Sequence, residues 1–328
     1  MAVYTELKAA TLAHLIGEYD VGELVLAKGI AEGVSNSNWL IETTGKHGTG
    51  ARYILTMYER RIELDDLPFF LGLLDHLSAK GCPVPRTIHD RTGAAFRWLD
   101  HKAVALIEFL PGISIDHPTP DQARAVGKAL AGMHLAARDF PASRTQTLGL
   151  AGWRRTAQDC TLAGMEGIAP GLGEAVFAEL DHLDAHWPKG LPSGVSHCDL
   201  FPDNVLMLGD AVSGLIDFYF AANDAFAYDL AVTHAAWCFA DHGKSFRADI
   251  AAALTEGYQA VRCLGESEIA ALPVLARGAA IRFVTSRAFD WIDTPAQALV
   301  TRKDPLDFIR RLACYQERGM AAFPGISE

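Results

Sequence analysis

No Cys-x-x-Cys pair occurs among the six cysteines, Cys82, Cys160, Cys198, Cys238, Cys263 and Cys314. A zinc ribbon or thioredoxin-like motif is therefore unsupported, and free thiols in a reducing compartment are expected. A surplus of basic charge is also missing. Lys and Arg number 29 against 40 Asp and Glu, a net charge of −11. That balance argues against nucleic acid and against an anionic membrane surface as partners; an anionic ligand would need a locally basic pocket. No run reaches the ~18 apolar residues of a membrane span. The opening MAVYTELKAATL has neither the basic start nor the apolar core of a signal peptide. A soluble, cytoplasmic protein is expected. Repeats and low-complexity tracts are lacking too. What is present is bulk: 328 residues, half of them hydrophobic, enough for about two domains that need no disulfide or structural metal.

The first third reads as strands. ELVLAKG, NWLIETT and RYILTMYE have strand texture, with GIAEG between the first two and the turn GKHGTG between the second and third. An amphipathic helix is expected over Thr5–Tyr19, and another over Asp65–Gly81, with acids and Pro68 at its start. AAFRWLD and KAVALIEFL add two strands, and PGISIDHPTP reads as a connector. Beyond it the helical period dominates. Thr119–Gln122 forms a capping box with Pro120 at the first helical position, and a helix should run to about Arg138. Further helices are expected over Glu174–His186, Asp224–Ala240, Phe246–Cys263 and Glu268–Ile292, interrupted by strand-like GVSHCD, NVLML and GLIDF. The expected fold class is α+β: a small antiparallel β-rich lobe with a helix over residues 1–110, and a larger, mainly helical lobe over 111–328, with a cleft between them.

The segment SHCDLFPDN carries the chemistry. It spaces His197, Asp199 and Asn204 as His-x-Asp-x-x-x-x-Asn, and Asp217 follows in GLIDF. Transfer of a phosphoryl group needs a carboxylate to take the proton of the attacking hydroxyl, and oxygen ligands for the metal ion that clamps the phosphates. Asp199 suits the first role, Asn204 and Asp217 the second. A turn rich in Asp and Asn is also what any solvated loop looks like, so the octapeptide alone does not decide. Three other segments bear on it. KGIAEGVSNSNW, with Lys28, Gly29, Gly33, Ser35 and Asn36, is a glycine-bearing hairpin whose amides suit phosphate. ALIEFLPG runs through Glu108 and Leu110 and would offer backbone groups to an adenine edge. Asp229 in AYDLA opens a helix, where it would accept bonds from the catalytic loop or simply favour the helix dipole. A zinc site from His197, Cys198 and Asp199 is excluded by their adjacency.

In this order the motifs resemble the aminoglycoside phosphotransferase superfamily, relatives of the protein kinases. The phrases KGIAEGVSNSNW, HCDLFPDNV, GLIDFYFAANDAFAYDLA and RGAAIRF are similar to the homoserine kinase branch of that fold. The resemblance spans nearly the whole chain. It implies a protein-kinase-like bilobal fold, ATP and Mg²⁺ as cofactors, L-homoserine as acceptor on the way to threonine, and a scaffolding role for His197. Two alternatives stay open: another small hydroxyl compound such as an aminoglycoside or amino alcohol, and a kinase-shaped binding module without turnover. One departure stands out. Relatives carry Lys on the third strand, where this chain has Thr56; Lys28, or less favourably Arg60, would replace the charge. For an acceptor carboxylate, Arg277 and Arg282 on the helix LARGAAIRFVTSRAFDWID are candidates, Arg277 falling on its apolar stripe, and Trp237 would help to shape the pocket.

Overall fold

The structure, a computed structural model, describes residues 8–30, 36–58, 63–294 and 302–326. The chain divides into two compact units, Met1–Pro111 and Gly112–Glu328.

The first unit is built on an antiparallel sheet. After helix α1 (Ala9–Gly17) come β1 (Leu24–Ile30), β2 (Asn36–Thr43), β3 (Ala51–Tyr58), helix α2 (Leu67–Ala79), β4 (Thr87–Ile88), β5 (Arg97–Leu99) and β6 (Lys102–Glu108). The sheet order is β1-β2-β3-β6-β4, with β5 also paired to β6. Side chains alternate between its faces. Trp39, Ile41, Leu55 and Leu106 turn to one face and pack with Leu12, Leu15 and Ile16 of α1 into a core. The other face carries a row Ile30, Asn38, Thr56, Ala105 and, beside it, Lys28, Leu40, Ile54, Ile107. The helix read at Asp65–Gly81 is α2, with Pro68 in its first turn and Gly81 past its end at φ +77°. Of the first expected helix, Thr5, Glu6 and Leu7 lie outside the described residues, and α1 covers Ala9–Gly17 of the rest.

The second unit holds α3 (Pro120–Ala136), α4 (Leu150–Cys160), α5 (Leu162–Glu166), α6 (Leu172–His186), β7 (Ser193–Ser196), β8 (Val205–Leu208), β9 (Ala211–Leu215), β10 (Ala222–Ala225), α7 (Phe226–Trp237), β11 (Phe239–Ala240), β12 (Ser245–Phe246), α8 (Ala248–Gln259), α9 (Glu266–Asp293) and α10 (Leu306–Arg318). The capping box at Thr119 and Gln122 forms as read. Every residue of α7 is buried, so this helix is the axis of the unit. Helices α3 and α8 cross at Gly127 and Gly257. A Cβ at either would meet a backbone carbonyl at 2.1 Å, that of Leu254 and Arg124 respectively.

Some elements differ from expectation. The helix expected over Asp224–Ala240 is α7, shorter at both ends: Asp224 and Ala225 belong to the strand that pairs with β7, and Phe239–Ala240 form β11. Helices α4 and α10 escape the periodic reading. Only Trp153, Ala157 and Cys160 of α4 are buried, and in α10 the stripe of Phe308, Leu312 and Tyr315 is broken by a buried Arg311. Helix α9 is, by length and composition, apolar enough to cross a bilayer, but 67% of its most apolar window is buried inside the unit.

Candidate active site

The catalytic segment is a loop stretched between two short antiparallel pairs. β7 leads into it and pairs with β10; the hairpin β8–β9 follows it. Asn204 closes a single turn, Pro202–Asn204, and its carbonyl accepts from the Ile216 amide at 3.0 Å. That bond brings the residue before Asp217 back beside Asn204, across the base of the hairpin.

A buried acid holds the loop from below. Asp229, in the first turn of α7, accepts from the amides of His197 and Cys198, both at 2.7 Å. Its Oδ2 also meets Nε2 of His134 at 2.8 Å. The chain of contacts continues from His134 Nδ1 to the Tyr258 hydroxyl at 2.8 Å, from Arg262 to that hydroxyl at 3.2 Å, and from Arg262 to Glu268 at 2.8 Å. Burial pushes the Asp229 pKa up, but the bonds from His134 and the loop amides outweigh it, and the net shift is downward. The carboxylate therefore stays ionised inside the core, where an acid that accepts several N–H bonds can remain charged. His197 is fully buried as well, and burial holds its pKa below the usual range. Its Nε2 lies 3.0 Å from the Ile216 carbonyl, so that nitrogen carries the proton, and Nδ1 accepts from the Asp199 amide at 3.3 Å. The imidazole is thus a strut between the end of β9 and the backbone of Asp199.

Two residues here adopt left-handed backbone conformations that cost a side chain energy: Cys198 at φ +63° and Asp217 at φ +64°. Non-glycine residues keep such angles only where surrounding bonds over-determine them. At Cys198 the amide goes to Asp229 and the carbonyl to Arg282.

The acidic side chains have few compensating charges. Burial raises the Asp199 pKa, and Arg282 opposes the rise; the net is upward. The surrounding protein, reinforced by Asp199 and Asp203, lifts Asp217 to about 7, although the residue stays open to solvent. A carboxyl beside two other carboxyls suits a cation. The neighbouring amide is aligned for one: Asn204 Nδ2 donates to the Asp199 carbonyl at 2.8 Å, which leaves Oδ1 as an acceptor. Among the described residues no three His, Cys, Asp or Glu side chains gather into a metal cluster. A carboxylate and an amide oxygen suit a hard cation that keeps phosphate and water among its ligands.

The arginines separate. Arg282 is buried, donates to the Cys198 carbonyl, and holds Nη2 3.5 Å from Asp199 Oδ1. Its guanidinium lies over the rings of Phe220 and Phe283, at 5.6 and 4.8 Å. Arg277 is withdrawn from the acceptor role expected of it. Its Nε and Nη2 bind the two oxygens of Glu179 at 2.6 and 2.7 Å, a forked ion pair between α9 and α6. An arginine on an apolar stripe needs a partner, and here the partner is an internal acid. Trp237 is buried and donates Nε1–H to the Leu200 carbonyl at 2.9 Å. It backs the loop, and also lines a cavity of about 160 Å³ with Asp116, His117, Phe239 and Asp241.

In the first unit, Gly33, Ser35 and Arg60 lie outside the described residues. Lys28 and Gly29 are exposed on β1, and Asn36 is buried at the start of β2. Lys28 shares a sheet face with Thr56, whose hydroxyl donates to Asn38 Oδ1 at 2.8 Å. The Glu108 amide does not remain available for a base edge: it donates to the Arg86 carbonyl at 3.0 Å. Leu110 lies beyond the end of β6. Single motifs did not point to the chain His134–Tyr258–Arg262 or to Lys303, which stands 3.6 Å from Asp203. These residues are remote in sequence, and only the packing of α3, α8 and the segment before α10 brings them in.

Residues 27–264 match the family model of the phosphotransferase enzyme family, to which the chain belongs. Over almost all of its length it is similar to proteins named homoserine kinase. It is 50% identical to the one from Methylobacterium radiotolerans over 317 residues, 97% of each chain. It is 48% identical to that of Rhizobium etli over 327 residues, which span the whole of both. Among solved structures it shares its fold with an amicoumacin kinase in complex with AMP-PNP and Ca²⁺, at a TM-score of 0.67 and 14% identity, covering 97% of this chain and 95% of the other.

Proposed function

We propose that this chain transfers the γ-phosphate of ATP to the side-chain hydroxyl of L-homoserine, a step of threonine biosynthesis carried out in the cytoplasm. The observation that carries this reading is the near-half identity to homoserine kinases along the whole chain, joined to a carboxylate, Asp199, whose backbone is held on both sides.

Asp199 receives the proton of the acceptor hydroxyl as oxygen attacks phosphorus. His197 and Asp229 keep its backbone in place. Asn204 Oδ1 and the Asp217 carboxylate would hold Mg²⁺, which when bound neutralises charge on the phosphates. Residues 1–110 would bind the nucleotide, with Lys28, Gly29, Gly33, Ser35 and Asn36 at its phosphates and Leu110 at its base; residues 111–328 would carry the transfer. Arg282 stands 3.5 Å from the base, and it orients Asp199 as well as offering its remaining N–H groups to an acceptor carboxylate.

The test is product identity. Purified protein with ATP, Mg²⁺ and L-homoserine should yield a phosphomonoester by ³¹P NMR, in step with ADP. ADP without a phosphorylated amino acid, or a product only from an aminoglycoside, would overturn the assignment.

A further inference from the structure

The loop Ser196–Asn204 contains two carboxylates and neither Lys nor Arg. Charge grows on the equatorial oxygens of a phosphoryl group in flight, and sites for this reaction place cations there. Thr56 leaves its position on the third strand uncharged, and the cations at the loop itself then carry more of this task.

The arginines near it are already engaged. Arg282 donates to the Cys198 carbonyl and faces Asp199. Arg287 donates to the Asp304 carbonyl at 3.0 Å and to Asp307 at 3.2 Å. Arg311 donates to the Ala235 carbonyl at 2.6 Å. Lys303 differs. Its ammonium sits 3.6 Å from Asp203 Oδ2 and 5.9 Å from the centre of the Phe201 ring, with both side chains of the pair more than 60% exposed. An exposed pair at that distance contributes little to stability, so the ammonium can turn to a ligand at small cost. Its charge also reaches Asp199 and Asp217, opposing the upward shift of each.

We propose that Lys303, delivered from the segment just before α10, is a catalytic residue that binds the oxygens of the phosphoryl group during its transfer. In that step the acceptor hydroxyl oxygen bonds to the γ-phosphorus as the bridging P–O bond to ADP breaks. The hydroxyl proton passes to Asp199, and the negative charge of the transferring group faces the Lys303 ammonium. The position follows from geometry: Lys303 meets the catalytic loop at Phe201 and Asp203, between the base Asp199 and the metal-binding Asn204 in the chain. The inference rests on the phosphotransfer reading given above.

The test pairs Lys303→Met with Lys303→Arg, assayed by ADP release with whichever acceptor supports turnover in the wild type. Wild-type protein inert toward homoserine would count against the substrate alone, because the ratio of variant to wild type is read on the active acceptor. Loss of one such donor typically lowers kcat by about 10²–10³. Lys303→Met should show a loss of that order with KM for ATP and acceptor within about 3-fold, and Lys303→Arg should recover most of it. A second reading needs no turnover. ADP with aluminium fluoride, a stand-in for the transferring group, should bind Lys303→Met about 10²-fold more weakly, whereas ADP alone should bind equally. A kcat within about 3-fold of wild type, or an effect confined to the acceptor KM, would overturn the proposal.

Discussion

Arg282 reaches from the middle of α9 to the catalytic loop, where it donates to the Cys198 carbonyl and stands 3.5 Å from an oxygen of Asp199. One buried guanidinium thus holds the backbone of the loop and faces the side chain that takes the proton. The two residues should act as a unit. Asp199→Asn should lower kcat by about 10²–10⁴, the usual worth of a positioned base. Arg282→Met should lower it by a smaller factor, and the double variant should be little worse than Asp199→Asn alone, because effects within one catalytic unit do not add. Losses that multiply in the double variant would show that Arg282 works independently of Asp199.

Asp217 follows the hairpin β8–β9, whose base is closed by the bond from the Ile216 amide to the Asn204 carbonyl, and the side chains of Asp217 and Asn204 are the proposed metal ligands. Asp217→Ala should abolish turnover and weaken binding of Mg²⁺-ATP by calorimetry, while ATP in the absence of divalent metal should bind much as in the wild type. Unchanged Mg²⁺-ATP affinity in this variant would remove Asp217 from the metal site.

On the sheet of the first unit, Lys28 and Thr56 share a face, but the Thr56 hydroxyl is bonded to Asn38. Lys28→Ala should therefore raise the KM for ATP several-fold, and Thr56→Val should change it little. The reverse ranking would place the phosphate contact at Thr56.

Stability should depend on pH through His234. This side chain is fully buried, bonded to the Tyr315 hydroxyl at 2.7 Å and to the Ala322 carbonyl at 2.9 Å, and burial lowers its pKa to about 3. The unfolded chain takes up the proton near pH 6.5 but the folded one does not. The contribution is therefore complete above pH 6.5 and is lost as pH falls toward 3, at up to about 1.4 kcal/mol per pH unit. In urea melts, His234→Gln should be less stable than wild type at pH 7.5, and the gap should narrow as pH drops from 6.5 to 4.5. Parallel curves across that range would contradict this origin.

The sequence made α2, α3, α6 and α8 legible, because each has a buried face and a marked end, and α9 through its long, largely apolar run. It also placed Asp199, Asn204 and Asp217 in one hairpin-closed segment, since that arrangement is local. What stayed hidden depends on distant packing. Arg277 and Arg282 lie five residues apart on one helix, and only the structure shows that the first meets Glu179 and the second the catalytic loop. The relay from Asp229 through His134 to Tyr258 joins α7, α3 and α8, and no spacing within any one of them announces it. Helix α10 was obscured by Arg311, which is buried over the rings of Phe308 and Phe239 and reads in sequence as a solvated charge.

Acceptor choice is the most direct measurement of the central claim. A site built for an ammonium and a carboxylate leaves its own charges buried and unpaired when the ligand lacks either, and such mismatches separate substrates by ~10⁴ or more. Coupled ADP release under saturating Mg²⁺-ATP should therefore give L-homoserine a kcat/KM far above those of 4-aminobutanol, 4-hydroxybutyrate, the homoserine methyl ester and an aminoglycoside, with L-serine and L-threonine poor because their hydroxyl lies one carbon nearer the charged end. Equal kcat/KM for homoserine and any of the analogues lacking its charges, or for homoserine and an aminoglycoside, would contradict it.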